Sequence, residues 1–72
     1  MKAIKVDVSE REWSKVTPFI AFVSDENVVV YRLSRTSFLV VTSHEAAMEC
    51  IINLMKWRFE DEVGIAEITA IR

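Results

Sequence analysis

Apolar and polar residues alternate from residue 2 to residue 8, with Ile4, Val6 and Val8 on one side and Lys5 and Asp7 on the other. That period predicts a strand with one buried face. Ser9-Glu10-Arg11-Glu12 then fits a capping box, in which the Ser9 hydroxyl accepts from the Glu12 backbone and the Glu12 carboxylate reaches back. A short helix is expected over residues 10–17, with Trp13 and Val16 on one face. It should stop before Pro18, because the residue ahead of a proline disfavours helical backbone. Residues 19–23 are apolar throughout, 24–27 polar, 28–33 rich in β-branched side chains, 34–37 polar, and 38–41 apolar again. This punctuation predicts a three-stranded meander with short polar turns.

Thr42-Ser43-His44-Glu45 is a second capping-box candidate, opening a long helix that ends near Phe59 or Glu60. Lys56 and Arg58 in its last turn suit the negative end of the helix dipole. Glu60-Asp61-Glu62 marks the exit loop, and residues 65–71 read as the last strand, with Ala66 and Ile68 toward the helix and Glu67 opposite. The strands on either side of the long helix run parallel if they share a sheet. The predicted order is β-α-β-β-β-α-β. It describes an α+β fold with a four- or five-stranded, mostly antiparallel sheet, one long helix packed on one face and a short N-terminal helix. Dropping or merging one meander strand leaves the βαββαβ order of ferredoxin-like folds, an arrangement shared by many unrelated functions. Length allows one domain over residues 1–72.

Both predicted layers carry more apolar surface than they can bury on each other. Around the long helix, Glu45, Glu49, Asn53, Lys56 and Glu60 form a polar stripe, and nearly all the rest is apolar. A helix lying on one sheet needs an apolar sector of only a little over 100°. The meander segments are apolar on both faces, whereas an antiparallel sheet with one wet face alternates. Three arrangements would cover the surplus: a homo-oligomer, a different protein partner, or a sheet curled over its own core. The homodimer is favoured, since two-fold dimers are the commonest solution. Its expected contact residues are Trp57, Cys50 and Ala46 on the helix, or Phe22 and Tyr31 on the outer sheet face.

Composition narrows the chemistry. Apolar residues make up 51%, net charge is −2, and charges of both signs are interspersed, which argues against a general nucleic-acid binder. One cysteine and one histidine exclude an intrachain disulfide and an ordinary structural zinc set, so no metal or cofactor is expected. The lone cysteine suggests a reducing, cytoplasmic setting, and no apolar run approaches the ~20 residues of a membrane span. His44 and Cys50 lie six apart on the helix and point in different directions, so they do not form a nucleophile pair. Arg32 and Arg35, near a hydroxyl-rich hairpin tip, with Lys56 and Arg58, are the candidate phosphate or nucleic-acid contacts. Arg58 projects into the apolar sector, which leaves three options: snorkelling, an earlier helix end, or an ion pair across a subunit interface, with Glu67 as the candidate partner.

These patterns favour a non-enzymatic cytosolic protein that acts by protein–protein binding, as a regulatory or accessory homodimer. Two alternatives are a nucleic-acid-binding regulator and a small-ligand sensor or carrier.

Overall fold

The computed structural model describes residues 2–68. β1 (Lys2–Asp7) leads through a 3-10 turn (Glu10–Lys15) into α1 (Val16–Val23), followed by β2 (Val28–Arg32), β3 (Ser37–Thr42), α2 (Glu45–Arg58) and β4 (Gly64–Ile68). The sheet order is β2-β3-β1-β4 with every neighbouring pair antiparallel. β3 and β4 therefore run parallel to each other with β1 between them, as the crossover argument requires. The molecule is an α+β fold of four antiparallel strands with one long and one short helix, in the βαββαβ order of ferredoxin-like folds.

One expected strand is a helix. Residues 19–23 continue α1, and the buried residues of this segment are Val16, Phe19 and Val23, a helical spacing. Pro18 is the third residue of α1, within the first turn, where backbone N–H groups have no intrahelical partner in any case. The proline expected to end a helix lies at the start of one. Residues 10–15 do turn helically, but as 3-10, with a kink at Glu12. Residues 69–71 of the expected last strand lie outside the described residues.

Neither capping box forms as expected. Ser9 Oγ accepts from the Arg11 backbone N–H, and Glu12 turns away to a different task. His44 occupies the N-cap of α2 without a side-chain cap, while Thr42 Oγ1 accepts from its backbone N–H and donates to the Asn27 carbonyl. The helix ends at Arg58, and Phe59 turns into the core.

Paired positions on neighbouring strands share a face, so the register separates the two sides of the sheet. Ile4, Val6, Phe38, Val40 and Val28 face the helices, packing on Phe19, Met48, Ile51, Met55 and Phe59. Phe19 meets Phe59 edge-on at 5.4 Å between ring centres and Phe38 at 6.1 Å. The opposite face carries Ala3, Val29, Tyr31, Leu39, Val41 and Ala66, and neither helix covers it. Glu67 pairs with Ile4 and so lies on the helix side, with Ala66 and Ile68 on the bare face. That is the reverse of the placement expected from the small side chain of Ala66.

Candidate functional site

The two helices do not close against each other along their whole length. Toward the C-terminal end of α1, Phe22 and Val23 with Asp25 and Val28 form one wall of a groove, and Ala47, Cys50, Ile51 and Leu54 of α2 form the other. This hollow measures about 260 Å³. Nearer the start of α1, a second hollow of about 250 Å³ is bounded by Ser14, Lys15, Pro18, Phe19 and Arg58. The Arg58 guanidinium links the two, its central carbon 4.7 Å from the centre of the Phe22 ring. The groove arises because α1 is only eight residues long and spends its large buried side chain, Phe19, on the sheet. Of its lining residues, Cys50 has a free thiol, and Asp25 accepts the Asn27 backbone N–H at 2.7 Å.

A third hollow, of about 310 Å³, lies where α2 ends, between Met55, Lys56, Phe59 and Ile65 with an acidic rim at Glu60, Asp61 and Glu62. Its floor is held by a latch that sequence reasoning missed. Glu12 is 5% exposed, and its carboxylate accepts the backbone N–H groups of Glu60 and Asp61 at 2.8 and 3.0 Å. Lys15 Nζ donates to the same carboxylate at 2.7 Å. The lysine first, and then the Glu60 amide, hold Glu12 below the usual range for a glutamate. Arg11 grips Asp61 with two hydrogen bonds, at 2.8 and 3.0 Å, and lowers its carboxyl in the same way.

The expected contact residues divide among several surfaces. Ala46, Cys50 and Trp57 do share an exposed stripe of α2, with Trp57 86% exposed. Tyr31, 55% exposed, is on the bare sheet face. Phe22, placed with it from the sequence, belongs instead to α1 and lines the groove. The candidate phosphate contacts are separated and mostly occupied. Arg32 donates to the Ser34 and Arg35 carbonyls and to Thr17 Oγ1, tying the β2–β3 hairpin to α1. Arg35 pairs with Glu10 at 3.1 Å and lies 5.2 Å from the Trp13 ring centre. Lys56 lines the acidic hollow, and Arg58 rests on Phe22. Arg58 makes no ion pair with Glu67, which stands near Lys2 beside Glu45. Among the described residues no cluster of three His, Cys, Asp or Glu side chains is disposed to hold a metal ion. No helix among them is long and apolar enough to cross a membrane.

No protein-family model matches the chain, and no curated protein matches it. A solved structure does: a crystal structure of antibiotic biosynthesis monooxygenase superposes with a TM-score of 0.50 and 11% identity, over 99% of this chain and 98% of that one. At that identity the likeness shows the fold. It nonetheless corrects the functional expectation drawn from the sequence. The reading as a non-enzymatic, protein-binding protein, with its nucleic-acid and ligand-sensor alternatives, rests on surplus apolar surface and on the lack of a catalytic or cofactor motif. A structure described as an enzyme has the same architecture from end to end, so those features do not point to a binding-only role.

Proposed function

We propose that this chain is a homodimeric enzyme of the oxygenase kind, taking a small, largely apolar organic substrate in the groove between α1 and α2. The observation that carries this reading is the groove itself, an open seam whose walls are formed by Phe22, Val23, Val28, Ala47, Ile51 and Leu54, more apolar than the acidic-rimmed hollow at the end of α2. Apolar walls with few polar groups are what small-molecule sites offer. The architecture shared with a structure described as a monooxygenase supports the reaction class. In such a reaction one atom of O₂ enters the substrate and the other leaves as water. The two electrons come from the substrate or from a supplied reductant. Asp25 and Cys50 are the titratable groups lining the seam, so proton transfer by this chain's own side chains falls to them. A free thiol at the surface fits a reducing, cytoplasmic setting.

The second copy belongs on the bare sheet face. There Val29, Tyr31, Leu39 and Val41 present apolar surface, and the charges of Lys5 and Asp7 already pair within the chain at 3.1 Å. A face of this kind buries against its own copy without leaving a charge unpaired.

The test is oxygen uptake with a panel of electron-rich aromatic compounds, with and without reduced nicotinamide as electron donor. Uptake above the protein-free rate, abolished by alkylating Cys50 with N-ethylmaleimide, is expected. No uptake with any compound removes the oxygenase reading.

A further inference from the structure

We propose that the substrate of the α1/α2 groove is a small organic acid whose carboxylate is held by Arg58 and whose apolar body lies between Phe22 and Leu54. The inference rests on the groove being the substrate site and goes on to assign its chemical class and orientation.

The argument starts from Arg58. Every other arginine with a described environment has oxygen partners: Arg11 has Asp61, Arg32 has carbonyls and a hydroxyl, and Arg35 has Glu10. Among the described residues Arg58 has no hydrogen bond and no ion pair, only the ring of Phe22. A guanidinium carries five N–H donors in a planar fork that matches a carboxylate. Stacking on Phe22 fixes the position of this fork without giving any donor an oxygen. A role limited to offsetting the dipole at the end of α2 would also suit an arginine here. It does not explain why the guanidinium lies over the ring of Phe22, so that a side chain lining one hollow touches a wall residue of the other.

The surroundings add to the bias. Lys15 and Ser14 line the same hollow as Arg58, so positive charge gathers at this end although the whole chain carries a net charge of −2. Part of the Lys15 charge is already shared with Glu12, which leaves Arg58 as the main anchor. At the opposite end of the groove stands Asp25. A carboxylate there repels an anion, so an acid enters with its charged end at Arg58 and its body along Phe22, Ala47 and Leu54. About 260 Å³ of apolar-walled space accommodates a bicyclic aromatic or a medium-length alkyl body.

The test compares two probes with one body, 2-naphthoate and 2-naphthalenemethanol, titrated by fluorescence at low salt. The expected result is binding of both, with naphthoate favoured about tenfold. R58Q should remove that preference and leave the alcohol unchanged, and R58K should keep part of it, since the charge remains while the fork is lost. Added salt should weaken naphthoate only, and alkylation of Cys50 should weaken both probes. Arg58 is exposed, so R58Q is expected to fold, which circular dichroism will verify. Equal binding of the two probes, or a preference that survives R58Q, overturns the assignment of an acid while leaving the groove as the site. Binding of neither probe overturns both.

Discussion

Glu12 shows how much one residue can hide at the level of sequence. A carboxylate three positions after Ser9 reads locally as half of a capping box, and that reading uses the correct chemistry, acceptance of backbone N–H groups. The amides it accepts, however, belong to residues 48 and 49 positions further along, in the loop leaving α2. No local pattern distinguishes the two, because only the packed chain brings Glu60 and Asp61 to the kink at Glu12. The latch has a pH signature. With its folded pKa lowered by Lys15 and the loop amides, Glu12 contributes stability that is fully present above the ordinary carboxylate range. That contribution is lost as pH falls through the lowered folded value. Asp61, lowered by Arg11, acts in the same direction. The urea midpoint of the wild type should therefore decline in acid, and that of Glu12→Gln should start lower and decline less. At neutral pH Glu12→Ala should lower the thermal midpoint by roughly 5–10 °C, since two part-buried backbone amides lose their acceptor. An E12A midpoint equal to the wild type would mean that water replaces the carboxylate at no cost.

At the scale of elements, β1 was legible from its alternation, α2 from its length and polar stripe, and β2, β3 and β4 from apolar runs bounded by polar or glycine punctuation. α1 was not. Five consecutive apolar residues after a proline satisfy a buried strand and a buried helix equally well. Pro18 tipped the reading the wrong way because a proline can mark either boundary of a helix. What discriminates is the 16, 19, 23 spacing of its buried residues, visible only if the window opens ahead of the proline. Substitutions here test how α1 packs. Phe19→Ala removes a ring that touches Phe38 and Phe59 and should cost about 3–5 kcal/mol, enough to unfold much of a small domain. Phe22→Ala, at a ring more than half exposed that rests against Arg58, should cost about 1 kcal/mol or less. In a strand, 19 and 22 would point to opposite faces too, so this pair reports burial and not the element; Pro18→Ala tests whether the proline lies in the first turn or inside a longer helix. At the first turn it should change stability by no more than about 0.5 kcal/mol, whereas a proline inside a helix would cost about 3 kcal/mol and its removal would stabilise strongly.

For the whole molecule, the sequence revealed an excess of apolar surface without locating it. Alternation cannot tell which face of a strand the helices will cover when both faces are apolar, and the reversed orientation of β4 illustrates the ambiguity. The structure resolves the excess into three places with different geometry: a concave seam between helices, suited to a small molecule, a broad sheet face, suited to another sheet, and the outer stripe of α2 around Trp57. Among the described residues β2 and β4 each have one strand neighbour and do not pair with each other, so the sheet does not close on itself. A copy of the same face is the simplest cover, since an isologous contact needs no second protein and repeats every apolar residue twice. Light scattering over about a hundredfold range of concentration should give a mass near twice the 8.3 kDa of the chain. Tyr31→Asp should return it to 8.3 kDa with an unchanged circular dichroism spectrum, because Tyr31 is more than half exposed in the single subunit and its charge would appear twice across the two-fold. A dimer that survives Tyr31→Asp but is lost on Trp57→Ala would move the contact to the outer stripe of α2. A wild-type mass of 8.3 kDa at every concentration would leave the sheet face bare and end the dimer proposal.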